Sequence, residues 1–296
     1  MPANLLTIDF EEWYQGLTST SVQSERWSSF ESRIEQQAER LLGTLDRYAV
    51  SATFFVVGEI ARTQPGILQE IARRGHEIGL HGDMHRRVDA MTEADFTADL
   101  SRNFDAVAHA TGTDIKGYRA AYASLGRDTE WFFARLAAQG LDYDSSVFPV
   151  RTPLYGLPGA TPTPSLIETA EGSLVEIPIS TATIAGKRVP FSGGFWFRQL
   201  PYTVVRRITQ AKNVAGEPVV FYFHPWEFDP AHPRPACTTA RERLSHYSRL
   251  RGAHGKLCRL LGDFDFEPMG RYAATLRRRW RSSPARGDAS PVLQGR

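Results

Sequence analysis

Short apolar runs of β character alternate along this chain with longer segments whose apolar residues recur at helical spacing. That rhythm restricts the fold more than any single motif does. The runs are "NLLTIDF" (4–10), "SATFFVV" (51–57), "HEIGLH" (76–81), "IKGYR" (115–119), "LDYDSS" (141–146) and, later, "EPVVFYFH" (217–224). Helical patterns fall between them at about 31–48, 66–75, 92–110 and 128–139, the second closed by Gly75. Strand and helix taking turns in this way indicates a parallel sheet, so a closed or nearly closed β/α barrel is expected, with an open doubly wound sheet as the alternative. The rhythm breaks between Pro149 and Pro201 into a Pro- and Gly-rich stretch holding one short strand, "SLVEIPIS", and the loop "PFSGGFWFRQLP". This stretch is expected to lie over one end of the barrel. Further helices are expected at 239–251 and 254–262, and a mobile chain beyond about Leu276.

With 296 residues, 42% of them hydrophobic, the chain can bury a large core. The net charge is +2, but residues 277–296 carry six arginines against Asp288, so the preceding 276 residues sum to −3. No basic field covers the body, which argues against nucleic acid and fits an uncharged substrate. Cys237 and Cys258 are too few for a disulfide scaffold and lack metal-ligand spacing. The start "MPANLLTIDFEEWY" meets charge early, unlike a secretory signal, and no run is long enough to span a bilayer, so a cytoplasmic protein is expected.

In parallel β/α proteins functional groups gather at the C-terminal ends of strands. Here those ends carry Asp9, Glu11 and Glu12, then His81 and His85, then Arg119, Asp144 and His224. His81 and His85, four apart, would meet on one helical turn and suit a divalent metal, although surface histidines pair this way by accident. Asp9 and Glu11, as alternate strand residues, face one pocket. Two histidines and a carboxylate, with a position open to water, is the ligand set of a hydrolytic zinc or similar ion, and it leaves the second carboxylate as a base. Arg119 at the barrel mouth would pair with Asp9 and keep it ionised. For His224 a buried structural histidine is the competing reading, and for Asp144 a turn-forming one. Trp13, Phe195, Trp196 and Trp226 could stack on sugar faces or belong to the core.

The motifs "TIDFEE", "HGDMH", "GYRAAY" and "FYFH", in that order, resemble those of the polysaccharide deacetylases of carbohydrate esterase family 4, the NodB-homology domain, over residues 4–228. Downstream, "FHPWEFDPAHPR" and the preceding "SGGFWFRQLPY" resemble the branch associated with exopolysaccharide loci and exosortase (PEP-CTERM) systems, extending the likeness to about residue 272. The resemblance implies an α/β fold, a distorted (β/α) barrel with about seven parallel strands, and metal-dependent removal of N-acetyl groups from N-acetylhexosamine units of an acetylated glycan. Residue by residue it implies His81, His85 and Glu11 as metal ligands, Asp9 as general base, Arg119 as its orienting partner and His224 as the acid. Asp144, with Glu176 as rival, would orient His224, and Tyr122, Trp196 and Trp226 would contact substrate. Zn²⁺ is the expected ion, with Co²⁺, Ni²⁺ or Mn²⁺ as alternatives. Two departures stand out: Phe10 replaces the second acid of the usual adjacent pair, and "YDSS" lacks the tryptophan that usually follows the orienting aspartate.

The expected organisation is a catalytic domain over 1–272, with a helical extension from about 229, and a basic tail over 273–296. The tail's arginines and Trp280 could make weak peripheral contact with an anionic membrane surface, against a solvated terminus as the plainer reading. Two further readings stay open: an allantoinase-like amidohydrolase acting on a cyclic ureide or imide, and a catalytically silent glycan-binding module. Nothing in the sequence fixes the oligomeric state.

Overall fold

A computed structural model describes residues 1–16, 18–126, 130–152, 155–235 and 239–282. In chain order the elements begin with β1 (Asn4–Phe10), α1 (Ile34–Arg47), β2 (Thr53–Val56), α2 (Gly58–Thr63), α3 (Pro65–Arg73) and β3 (Glu77–Leu80). There follow α4 (Glu93–Thr111), β4 (Gly117–Tyr118), α5 (Glu130–Ala138), β5 (Tyr143–Asp144), β6 (Ser165–Thr169), β7 (Gly172–Glu176), β8 (Thr181–Ile184) and β9 (Lys187–Pro190). The chain closes with α6 (Gly194–Gln199), α7 (Tyr202–Val214), β10 (Val220–Phe223), α8 (Ala240–Ser245), α9 (Leu250–Asp263), β11 (Phe266–Glu267) and α10 (Met269–Ser282).

The main sheet runs β10-β1-β2-β3-β4-β5-β7-β6, with β11 added to the start of β1. The seven strands from β10 to β7 are parallel, as expected, and β6 closes the edge as the antiparallel half of a hairpin with β7. The sheet curls into a half-barrel whose two faces are separated by the period of two. On β1 and β2, Leu6, Ile8, Phe10, Phe54 and Val56 face the large cluster packed under the helices. Leu5 and Phe55 face inward with Tyr143, Val175 and Val220.

One end of that interior is closed by α10. Met269, Ala273 and Leu276 join the inward cluster, and the first turn is fixed by Met269 N–H donating to Thr53 Oγ1 (2.8 Å) and Gly270 N–H to Glu77 Oε2 (2.9 Å). The chain beyond Leu276 is therefore helical as far as Ser282, and α10 crosses the boundary expected at 272. This departs from the sequence reading because three buried residues spaced by four and three hold an otherwise Arg-rich helix to the barrel. Residues 283–296 and Cys237 lie outside the described residues.

Other elements also differ from expectation, among them α2, the β8–β9 hairpin and β11, none of which was expected. Helix α7 was not foreseen because its buried face is Val205, Thr209 and Asn213, two polar residues in three, which hides the apolar periodicity. The loop expected at 190–201 contains α6. The run "SLVEIPIS" supplies β7 but acquires β6 as a hairpin partner.

Candidate active site

The C-terminal ends of β1, β3, β4 and β10 open into a cavity of about 310 Å³. Strand β1 ends at Phe10, which is fully buried in the helix-side core. Glu11 N–H then turns back to the Asp9 carbonyl at 3.1 Å, so both Asp9 and Glu11 reach the cavity. Arg119, 1% exposed, fixes Asp9: it donates to Asp9 Oδ1 (2.8 Å), Thr7 Oγ1 (2.6 Å), Ser145 Oγ (2.9 Å) and the Ser145 carbonyl (3.0 Å), with its guanidinium 4.5 Å over the Phe55 ring. Burial opposes ionisation of Asp9, but Arg119, His81 and His224 outweigh it and hold the carboxyl below its ordinary value.

His81 and His85 lie on a tight loop and not on a helical turn, which corrects the sequence expectation. Gly82 (φ 80°) and His85 (φ 48°) both take left-handed backbone, the second a conformation disfavoured for a side-chain-bearing residue. Asp83 anchors the loop through Arg62 (2.5 Å) and Arg102 (2.9 Å). His81 Nδ1 lies 2.8 Å from the Arg119 carbonyl oxygen. A carbonyl only accepts, so Nδ1 carries the hydrogen and Nε2 presents its lone pair to the cavity. Burial, only partly offset by Asp9, lowers this imidazole to about 4 and keeps it neutral.

Glu11, His81 and His85 each offer a ligand atom, all within 4.8 Å of one another. Glu11 Oε2 is 2.7 Å from His85 Nε2, and the two Nε2 atoms are 3.3 Å apart. Two nitrogens bound at ~2.0–2.1 Å to one tetrahedral ion stand about 3.3 Å apart, so the residues present fit a divalent cation. Burial raises and His85 and His224 lower the Glu11 carboxyl, with the net far on the ionised side.

The opposite wall comes from later in the chain. His224 follows β10, and its Nε2 points between the two carboxylates, 3.9 Å from Asp9 Oδ2 and 3.8 Å from Glu11 Oε1. Its Nδ1 lies 3.1 Å from Glu227 Oε2, while Glu227 Oε1 accepts from Arg198 Nε at 2.7 Å. Arg198 is itself tied to the carbonyls of Ser245 and Ser248. Burial alone would depress the His224 imidazole, but Glu11, Glu227 and Asp9 raise it to about 9.

Asp144 and Glu176 do not meet His224. Tyr143 takes the inward position on β5, so by strand alternation Asp144 points to the opposite face. There it accepts from Ser146 Oγ (2.6 Å) and Ser146 N–H (3.0 Å) and faces Glu176 across the β5–β7 register. Burial raises both carboxyls, Glu176 further by Asp144. Glu227 occupies the place expected for either of them. The sequence contained one signal for it, an acid three residues after the histidine in "HPWEF", where a proline-started turn folds the carboxylate back onto the ring. Arg198 had none.

Trp226 is buried. It donates Nε1–H to Glu11 Oε1 (3.0 Å) and stacks with His224 at 4.9 Å, which makes it a support of the site and not an open platform. Trp13 belongs to an aromatic core with Tyr14 and Trp27. Trp196 and Phe195 are half-buried on the cavity wall. Tyr122 also lines the cavity, with its ring 4.4 Å from that of His85 and its hydroxyl donating to the Gln15 carbonyl (2.8 Å).

Residues 22–141 match the family model "Polysaccharide deacetylase". Residues 145–274 match a second family model, described as "Domain of unknown function (DUF3473)". The fold likeness extends over both segments: a structure from Mycobacterium smegmatis assigned to the polysaccharide deacetylases superposes with a TM-score of 0.59 at 21% identity, covering 94% of this chain and 91% of that one. A Pseudomonas aeruginosa structure assigned to the same class gives 0.58 at 18%, covering 95% and 93%. Among curated relatives, a peptidoglycan-N-acetylglucosamine deacetylase of Bacillus cereus is 29% identical over 86 residues, 29% of this chain and 31% of its own length. A bifunctional xylanase/deacetylase of Pseudobutyrivibrio xylanivorans is 25% identical over 109 residues, 36% of this chain and 18% of its own. These matches thus span less than a third of the relatives' lengths.

Proposed function

We propose that this chain is a hydrolase that removes the N-acetyl group from N-acetylhexosamine units of a polysaccharide or its oligosaccharide precursor, using a divalent cation held by Glu11, His81 and His85. Zinc is the first choice by ligand type, with cobalt, nickel or manganese as rivals. When bound, the cation supplies Lewis acidity and lowers the pKa of water, the help an unreactive amide needs. Asp9, ionised and held in one rotamer by Arg119, accepts the proton of the attacking water. A backbone N–H near Tyr122, a residue that lines the cavity, is the proposed donor to the oxyanion. His224 delivers a proton to the departing amine from Nε2, while Glu227 holds Nδ1 and fixes the ring.

The observation that carries this reading is the placement of Asp9 and His224 around one buried Glu11–His81–His85 cluster. The test is acetate release from N-acetylglucosamine oligomers, with and without chelator. Activity that survives both full metal removal and Asp9→Asn contradicts the reading. A cyclic ureide run beside the oligomers separates it from the amidohydrolase alternative, and saccharide binding without acetate release would favour the silent module.

A role in exopolysaccharide biosynthesis rests on the likeness of "HPWEFDP" and "SGGFWFRQLPY" to that branch. No helix among the described residues is long and apolar enough to cross a membrane. The cytoplasmic location and the weak membrane contact of the basic tail stand as proposals, the second testable by sedimentation with anionic vesicles, comparing the full chain with one cut after Leu276.

A further inference from the structure

We propose that His246 binds substrate, hydrogen-bonding a hydroxyl of the acetylated sugar beside the reacting amide. The inference rests on the deacetylase reading and gives a task to the region whose family model carries no function.

Helix α8 presents Arg241, Leu244 and Ser245 to the cavity, and His246 follows at its C-terminal cap. His246 is 2% exposed and its ring stacks on Trp226 at 3.8 Å, yet its Nε2 has no hydrogen-bond partner among the described residues. A buried polar atom left unpaired is costly, and a site that leaves one so is completed when a ligand supplies the partner. The position also fits. A Cβ built on the cavity-lining Gly16 would lie 3.1 Å from His246 Cε1, 3.3 Å from its Nδ1 and 3.4 Å from Glu11 Oε1. The Cε1–Nδ1 edge of the imidazole and the Glu11 carboxylate therefore both approach Gly16, and His246 itself lines the cavity that holds the candidate site. Burial, then His232 and Arg198, lower His246 well below the ordinary histidine value, against Glu11. A neutral imidazole has one donor and one acceptor, which suits a hydroxyl better than a carboxylate or phosphate, and the nearby Asp9 and Glu11 repel anions.

The experiment compares wild type, His246→Phe, which keeps the stack on Trp226 but removes both nitrogens, and His246→Gln, which keeps a donor and an acceptor. The probes are an N-acetylglucosamine tetramer and its monodeoxy analogues. The inference expects His246→Phe to raise KM about 10-fold with kcat within about 2-fold, and His246→Gln to recover part of the loss. It also expects wild type to discriminate about 10-fold against one deoxy analogue that His246→Phe accepts as well as the parent. Active variants that discriminate against every analogue as wild type does overturn it. A wild-type protein that releases no acetate from any of these saccharides fails the deacetylase reading itself and takes this inference with it. If His246→Phe does not fold, the same comparison with His246→Gln decides, since a purely structural histidine leaves the discrimination unchanged.

Discussion

The first half of the chain and the stretch from residue 145 onward build the candidate site in different ways. In the first half each group leaves the end of its own strand: Asp9 and Glu11 after β1, His81 and His85 after β3, Arg119 after β4. In the second half only His224 does so. Its supports arrive from elsewhere, Glu227 from the following turn, Arg198 from α6 and His246 from the end of α8. The contrast teaches that the proposed base and metal ligands depend on strand register, whereas the proposed acid depends on contacts between segments that share no periodicity.

The largest expected effect lies on the first side. Asp9→Asn keeps the shape and one hydrogen bond to Arg119 but removes the base, so kcat should fall ~10²–10⁴-fold with zinc binding retained. Equal activity would remove Asp9 from the comparison.

The second side is tested by Glu227→Gln, expected to lower kcat about 10–100-fold, the size typical of losing a partner that orients an active-site histidine. The pH profile gives the sign. As the proposed acid His224 would act protonated, and it is raised to about 9, first by Glu11 and then by Glu227, so activity should be lost as pH rises through that value. Removing the carboxylate lowers the imidazole, and the alkaline limb of kcat/KM should move to lower pH. An unmoved limb assigns Glu227 a structural role only.

Trp226→Phe joins the two sides, because the indole belongs to the later half and its N–H serves Glu11. Loss of that bond should weaken zinc about 10-fold while the stack with His224 persists, as read by competition with a chelator.

The smallest effect is expected at Glu176→Gln, off the cavity. Activity should change less than about 2-fold, as for a group with no contact to the reacting atoms. Both Glu176 and Asp144 have carboxyls raised in the folded state, so the fold binds more protons than the unfolded chain. Stability therefore falls as pH rises above the ordinary carboxylate range, a loss complete only above the raised folded values. In the variant, thermal melts between pH 4.5 and 8 should lose much of that slope. An unchanged slope contradicts the buried pair as its source.

The sequence exposed most of the parallel sheet because β1, β2 and β10 are largely buried apolar runs rich in β formers and β3 is mostly buried, and it exposed Asp9, His81, His85, Arg119 and His224 because each lies at or just beyond the end of a strand. It concealed α7, whose buried face is largely polar, and α10, whose three buried residues are masked by arginines. Its local pattern singles out Asp144 as the partner of His224, where the structure has Glu227. Asp144 ends a strand as a functional residue should, but only the inward placement of Tyr143 reveals that it faces the wrong way. Arg198 and His246 act through tertiary contacts that leave no local pattern.

Whether carboxylate and imidazoles from β1 and β3 hold one cation beside His224 can be measured by elemental analysis of the purified chain after saturation with zinc and removal of the excess. The account predicts one zinc per wild-type chain and none in a His81→Ala, His85→Ala variant that keeps the native circular dichroism spectrum. A wild-type chain that emerges without metal, or a double variant that keeps its full zinc, would contradict it.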